Sequence, residues 1–164
     1  MNKLNQEGLS LIEVMIALAV FSFGLLALAA LMASGLKYNT SALHRSYATS
    51  QAYDMADRIR ANRLGLDLGY YNGLSDSSTV PNCVSFESES DSEINCNPSE
   101  MAQYDSWEWN SDNDRLLPEG TGTVSPKSDD PESADFGLYT ITISWNDDRD
   151  PDTAADSFIF EFQP

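Results

Sequence analysis

Basic residues and histidine are scarce in this sequence of 164 residues. Nine Lys and Arg stand against 26 Asp and Glu, which gives a formal net charge of -17 at pH 7, and His44 is the single histidine. This acidity argues against nucleic-acid binding, because contacts with phosphate need Lys and Arg. No catalytic constellation stands out either. A Ser-His-Asp arrangement could be drawn from the many serines and aspartates, but their abundance makes it uninformative. We therefore expect a protein that is not an enzyme and that binds neither nucleic acid nor a cofactor.

Charge is absent altogether from one long stretch near the N-terminus. From Val14 to Leu36 there are 23 residues without a charged side chain, and the first proline of the chain is Pro81. A run of that length can cross a bilayer as one helix, which needs about 20 residues. As the core helix of a soluble protein it would need more surrounding mass than this chain supplies, because it is apolar on every side. The sequence therefore predicts a transmembrane helix.

Glu13 is the odd residue of this segment. It lies four residues into the apolar run that begins at Leu9. An ionised side chain inside a membrane costs roughly 2.5 to 3.5 kcal/mol on insertion scales. We therefore expect Glu13 to have a function and to be neutralised by a partner.

The residues around Glu13 resemble a known processing site. Gly8 followed by Leu-Ser-Leu-Ile-Glu-Val is similar to the site at which type IV prepilins and type II secretion pseudopilins mature. The resemblance implies that residues 1-8 are a leader, that a prepilin peptidase cuts between Gly8 and Leu9, and that the new amine of Leu9 is methylated. It also implies that Glu13 is the assembly glutamate, paired with the ammonium of a neighbouring subunit in a medium of low dielectric.

Two other interpretations of the same segment stay open. The sequence Ala27-Leu28-Ala29 could serve as the cleavage site of a secretory signal peptide. The apolar run continues past this site to Leu36, however, and Glu13 would interrupt the apolar region of such a peptide. A plain signal anchor would explain the length of the run but would leave Gly8 and Glu13 without a reason. The prepilin interpretation accounts for both residues.

The helix is predicted to continue beyond the membrane over residues 37-63. Ala48, Ala52, Met55 and Ile59 recur at spacings of four, three and four, with charged residues elsewhere. This spacing is typical of an amphipathic helix with one apolar stripe.

The stretch from Ala52 to Arg63 closely resembles a helix segment of the minor pilins called PilV, in which a Tyr-Asp-x-x-Asp-Arg-x-Arg-Ala-Asn-Arg pattern recurs. Taken alone, Asp54 and Asp57 near Arg58 indicate only exposed helical ion pairs, each worth under about 1 kcal/mol.

The resemblance to the pilins implies an α+β fold. A long N-terminal helix, transmembrane over residues 9-36 and amphipathic over residues 37-63, would pack on the antiparallel sheet of a periplasmic head that spans residues 37-164.

The two cysteines, Cys83 and Cys96, lie in a stretch from Gly65 to Glu100 that is rich in Gly, Ser, Asn and Asp, which is typical of irregular structure. An even count in an exported acidic domain favours a disulfide. Closing a loop of about 14 residues would contribute roughly 3 kcal/mol to the free energy of unfolding in the chain-entropy model. A metal site is the alternative, but two isolated cysteines and the distant His44 do not assemble a zinc site.

A second helix is predicted directly after Cys96. Asn97 provides an N-cap, Pro98 suits the first helical position, and Glu100 completes a capping box. The Ala-x-x-Asp-x-x-x-Trp pattern from Ala102 to Trp109, and the Leu-Pro-x-Gly sequence that ends the helix, again resemble the PilV family.

Strands are predicted for the last third of the chain. Apolar and polar residues alternate from Tyr139 to Trp145 and again from Phe158 to Phe162, which indicates two strands with one apolar face each. A short strand is expected at Gly122 to Ser125. We expect Trp107 and Trp109 to pack against this sheet rather than to line a ligand pocket.

Calcium binding is an alternative at two acidic segments. Residues 146-156 contain five aspartates, and Asn110, Asp112 and Asp114 form a shorter group. Hard oxygen ligands at this density can hold calcium. The first segment lacks a recognised spacing, the second has Arg115 where a calcium loop needs glycine, and aspartates also favour turns for local reasons. We therefore expect no metal site.

The resemblance as a whole implies a minor pilin that helps to initiate type IV pili and is incorporated into them, with roles in twitching motility and attachment. Its partners would be the prepilin peptidase, other minor pilins, the major pilin and the inner-membrane assembly platform. The chain would lie in the inner membrane and then in the pilus at the cell surface. A type II secretion pseudopilin, or a membrane-anchored periplasmic binding module that never polymerises, is the alternative.

Overall fold

A computed structural model describes residues 10-75, 80-83, 96-147 and 154-164. Within these ranges the chain forms the helices α1 (Leu11–Ala61), α2 (Arg63–Asp67) and α3 (Pro98–Leu116) and the strands β1 (Thr121–Pro126), β2 (Tyr139–Trp145) and β3 (Asp156–Phe162). Its contacts divide the chain into an N-terminal unit, Met1–Ser41, and a C-terminal unit, Ala42–Pro164.

The described part of the N-terminal unit is the first part of α1. Side chains from Ser10 to Thr40 are exposed. By length and composition, α1 is a helix that could cross a membrane: its most apolar window of 18 residues has a mean hydropathy of 2.6, and none of that window is buried. The predicted long apolar helix is therefore confirmed.

The rest of α1 belongs to the core of the C-terminal unit. Ala48, Ala52, Met55 and Ile59 are fully buried, as the apolar spacing predicted. Burying Met55 and Ile59 contributes roughly 1.5 to 3 kcal/mol each. The residues of the sheet that share this core are Val124, Ile141, Ile143, Trp145 and Phe162.

The strands form one antiparallel sheet in the order β1-β2-β3. Ile141 lies between Val124 of β1 and Phe160 of β3. Its neighbours on the same face, Ile143 and Trp145, are buried with it, whereas the polar residues between them are less so. The predicted alternation is therefore confirmed, and its apolar face supplies the side of the sheet that meets the core.

The capping box predicted for α3 is present. The backbone amides of Ser99 and Glu100 donate to Asn97 Oδ1 at 3.0 and 2.9 Å, and the amide of Asn97 donates to Glu100 Oε2 at 2.9 Å. The helix ends at Leu116, because Leu117 precedes a proline and takes an extended conformation.

The predicted end of α1 at Arg63 is wrong by two residues. The helix ends at Ala61, and the short helix α2 begins at Arg63. Asn62 separates them, because its side chain accepts a hydrogen bond from the amide of Gly65 at 3.1 Å and so caps α2. Irregular structure was also expected from Gly65 onward, and α2 corrects this for its last three residues.

Trp109 and Gly122 bring α3 close to its neighbours. Trp109 is buried, and its Nε1 donates to the carbonyl of Gln51 in α1 at 2.9 Å. A Cβ atom on Gly122 would lie 2.2 Å from the Trp109 ring, so only glycine allows β1 to approach this closely. Trp109 thus packs between α1 and the sheet, as predicted.

A disulfide joins Cys83 and Cys96, whose Cα atoms are 5.5 Å apart. The even number of cysteines predicted this bond.

Candidate functional site

Glu13 lies in the first turn of α1, where its backbone amide donates to the carbonyl of Ser10 at 3.0 Å. A carboxylate is favoured at this end of a helix by the partial positive charge of the free amide groups. The adjacent Leu11 and Ile12 are 79% and 65% exposed. Glu13 is therefore a single charge on an exposed apolar surface, where a group from another molecule can reach it.

Gly8 and Leu9, the predicted residues of cleavage and N-methylation, lie outside the described residues. Their roles stay predictions.

Hydroxyl groups within the apolar part of α1 are satisfied by the helix itself. Ser22 Oγ donates to the carbonyl of Leu18 at 2.7 Å, and Ser34 Oγ donates to the carbonyl of Ala30 at 3.1 Å. A hydroxyl group in an apolar medium without such a bond costs several kcal/mol. These two serines are therefore compatible with burial in lipid or among other helices.

Arg58 joins α1 to α3 in the C-terminal unit. Its Nε donates to Asp54 Oδ2 at 2.7 Å, and its Nη1 donates to Glu108 Oε2 at 2.5 Å and lies 3.5 Å from Asp105 Oδ1. The Arg58 side chain is only 22% exposed. The expectation that Arg58 forms only exposed ion pairs within its own helix is therefore wrong, because the fold brings two carboxylates of α3 alongside it.

The segment that follows α1 completes this network. Tyr71 Oη donates to Asp105 Oδ2 at 2.5 Å, and Asn62 Nδ2 donates to Tyr71 Oη at 3.1 Å and to the carbonyl of Pro98 at 2.8 Å. Tyr71 is fully buried. The network therefore binds three segments that are far apart in the sequence.

The charges in this network are shifted by their surroundings. Burial raises the pKa of Asp105, although the hydrogen bond from Tyr71 and the charge of Arg58 oppose this shift. Burial also raises the pKa of Tyr71, as does its hydrogen bond to Asp105, so the phenol keeps its proton. For Arg58, burial lowers the pKa, but the hydrogen bonds to Glu108 and Asp54 outweigh burial and raise the pKa overall. Asp105 is thus the carboxylate whose charge is most costly, because its side chain is far more buried than those of Asp54 and Glu108.

The two sequence motifs described above, Ala52 to Arg63 and Ala102 to Trp109, meet in this network. Arg58 and Asn62 come from the first motif, and Asp105 comes from the second. Sequence reasoning missed Tyr71 and Glu108 as their partners. Tyr71 lies in a stretch whose composition indicated irregular structure, and Glu108 follows no spacing that would connect it with α1.

His44 lies in α1 and is mostly buried. Its side chain is 13% exposed, and its Nδ1 pairs with Asp147 Oδ1. The same oxygen accepts a hydrogen bond from Trp145 Nε1 at 2.9 Å. His44 therefore links α1 to the residues that follow β2.

Within the described ranges, no group of three or more His, Cys, Asp or Glu side chains is arranged to hold a metal ion. Asp147 is engaged with His44, and residues 148-153 of the first acidic segment lie outside the described residues. In the second segment, Asn110 Oδ1 accepts from a backbone amide of β1, and Asp112 pairs with Arg115 at 2.8 Å. These oxygens therefore do not converge on one point.

Two family models match the chain. The model described as Type IV pilin Tt1218 matches residues 30-107, just under half of the chain, and the model of the prokaryotic N-terminal methylation motif matches residues 3-29. No curated protein matches the chain. No solved structure matches it. The two adjoining matches, with the long apolar helix and the small antiparallel sheet, support a type IV pilin, that is, a component of a pilus or pseudopilus.

Replacing Arg58 with Ala should lower the free energy of unfolding of the C-terminal unit by about 3 kcal/mol. The loss follows because Asp105 and Glu108 would be left close together without a counter-charge, and removing one partner of a largely buried ion pair costs this much. All three tryptophans of the chain lie in this unit. Tryptophan fluorescence of the full chain in detergent, followed through a denaturant titration, therefore measures the change.

Arg63→Ala is the matched control. Arg63 and its partner Asp67 have side chains that are 67% and 59% exposed. We expect its removal to change the free energy of unfolding by no more than about 0.5 kcal/mol. Equal losses in the two variants would contradict a specific role for Arg58.

Replacing Asp105 with Asn should change how stability depends on pH. Because the folded protein raises the pKa of Asp105 above its ordinary value of 3.8, this carboxyl stabilises the fold most when it is protonated. Its contribution is complete below pH 3.8 and is lost as the pH rises through the higher pKa of the folded state. The free energy of unfolding of the wild type, minus that of Asp105→Asn, should therefore fall as the pH rises above 3.8. A difference that stays constant or rises over this range would contradict the raised pKa.

Proposed function

We propose that this chain is a minor pilin of the PilV kind, which helps to initiate type IV pili and is incorporated into them. The observation that carries the proposal is the exposed apolar part of α1 with Glu13 as its single charge. The matches to a pilin family and to the N-terminal methylation motif support it.

In this proposal the N-terminal half first stores the subunit in the inner membrane, with the C-terminal unit in the periplasm. The prepilin peptidase removes residues 1-8 after Gly8, and the new amine of Leu9 is methylated. During assembly Glu13 pairs with the Leu9 ammonium of a neighbouring subunit. A carboxylate in a medium of low dielectric is tolerated when it is paired in this way. The pairing also sets the axial register between subunits, because an unpaired Glu13 in the filament core would be costly.

The C-terminal unit then supplies lateral contacts with other minor pilins and with the major pilin, while the inner-membrane platform drives assembly. Its disulfide and the Arg58 network hold this unit in one arrangement, which suits a part that makes repeated contacts in a filament. Through the pilus, the chain would serve twitching motility and attachment to surfaces.

The intact mass of the membrane-extracted chain tests the processing step. We expect the mass to fall by residues 1-8 and to rise by one methyl group, and we expect both changes to require the prepilin peptidase of the cell. Extracts from cells with and without that enzyme are the comparison. An uncut chain, or one cut after Ala29, would contradict the proposal.

Replacing Glu13 with Ala tests assembly. Processing should be unchanged, whereas the amount of the chain that is recovered with sheared pili should fall at least tenfold (about 1.4 kcal/mol), because the Leu9 ammonium of a neighbour loses its counter-charge. Glu132→Ala, which removes an exposed glutamate from the C-terminal unit, should leave recovery unchanged.

Glu13→Ala tests the first alternative, and a deletion of the chain tests the second. A membrane-anchored binding module would be indifferent to Glu13→Ala and would not be recovered with pili. A pseudopilin would be processed, but its deletion would stop protein secretion and leave pili intact.

A further inference from the structure

A surface cleft beside α3 has no part in the network around Arg58. The residues Trp107, Asn110, Ser111 and Asp114 share one face of α3, because they are spaced as i, i+3, i+4 and i+7. The cleft has a volume of about 290 Å³, and it is lined by Trp107, Asn110, Ser111, Asp114, Gly120 and Thr121.

The walls of the cleft are fixed before any ligand arrives. The amide of Gly122 donates to Asn110 Oδ1 at 2.6 Å, and Asn110 Nδ2 donates to the carbonyl of Ser106 at 3.2 Å. Gly120 touches α3 so closely that a Cβ atom there would lie 2.2 Å from the carbonyl oxygen of Asn113. The start of β1 is thus pressed against α3, and a ligand would meet a preformed site, which lowers the entropic cost of binding.

The two neighbouring tryptophans of α3 have different environments. Trp109 is buried in the core, and its Nε1 donates a hydrogen bond to the carbonyl of Gln51. Trp107 is partly exposed and lines the cleft, with its ring 5.9 Å from that of Tyr104. The expectation that both tryptophans pack against the sheet is therefore correct for Trp109 alone, and packing in the core does not account for Trp107.

The lining of the cleft restricts the chemistry of a ligand. It contains an indole ring, an amide, two hydroxyl groups and the carboxylate of Asp114, and it contains no Lys, Arg or His. Asp114 is exposed and forms no ion pair with any described residue. A phosphate or carboxylate ligand needs cationic donors, and the net charge of -17 repels it further. A purely apolar ligand would leave the carboxylate and the hydroxyl groups without partners.

A sugar ring fits each of these restrictions. One side of the ring presents C–H groups that can pack on an aromatic face, and its hydroxyl groups can donate to carboxylate and amide oxygens. The cleft lies at the small end of the range for ligand sites, so it has room for one ring rather than for a large molecule. We propose that this cleft binds a neutral saccharide unit, with Trp107 as the stacking platform and Asp114 as the acceptor of hydroxyl hydrogen bonds.

The experiment uses the full chain in detergent, applied to an array of immobilised neutral mono- and disaccharides built from glucose, galactose, mannose and their N-acetylhexosamines. We expect the wild type to bind at least one of these glycans. Trp107→Ala and Asp114→Asn should each weaken that binding at least tenfold, because the first removes the stacking surface and the second removes a charged hydrogen-bond acceptor.

Asp112→Asn is the matched control. Asp112 lies two residues before Asp114 on the same helix, but it does not line the cleft and pairs with Arg115 instead. Its replacement should leave binding unchanged. Asp114→Asn alters an exposed side chain at nearly constant size, so it keeps the test valid if Trp107→Ala fails to fold. An array without any bound glycan, or binding that Asp114→Asn retains in full, would overturn the proposal.

This inference does not rest on the proposed role in pilus assembly. Removal of the leader by the prepilin peptidase and recovery with sheared pili depend on residues of the N-terminal unit, so either proposal can fail without the other.

Discussion

The burial of Arg58 among carboxylates is the interaction on which the C-terminal unit depends most. A guanidinium can leave water only where its partners are held in place, since an unpaired buried charge costs several kcal/mol. Tyr71 and Asn62 provide this support, because Tyr71 donates a hydrogen bond to Asp105 and Asn62 in turn donates one to Tyr71. The position of α3 against α1 follows from the network. Through α3 it also determines where β1 lies, and hence where the cleft beside Trp107 forms.

The two parts of helix α1 differ in how much of their apolar surface is buried. Over residues 48-59 its apolar side is narrow and is covered by the sheet and α3. Over residues 10-40 it is exposed on every side, and no described part of the chain covers it. Apolar surface of this extent must be removed from water by lipid or by the helices of other subunits. The exposed apolar surface of residues 10-40 is thus itself the reason why this part of α1 needs a membrane or a filament around it.

The basic residues of the C-terminal unit do not neutralise all of its acidic residues. Each Lys or Arg that the structure describes there already pairs with a carboxylate of the same chain, and this holds even for exposed residues such as Arg45 and Lys127. Other described carboxylates, such as Asp114, Glu119 and Glu132, are exposed and have no basic partner among the described residues. Copies of the chain consequently repel one another, except where specific packing overcomes the repulsion.

The sequence by itself determined the features that arise from neighbouring residues: the apolar run around Glu13, the capping box at Asn97 and the alternation of β2. These signals act within a few positions, so periodicity and capping chemistry reveal them directly. Only the tertiary structure decided which carboxylates surround Arg58, that His44 is mostly buried, and that Trp107 lines a cleft while Trp109 enters the core. Each of these depends on contacts between segments tens of residues apart, whose mutual approach is set by the packing of whole helices and strands and is not encoded in local spacing.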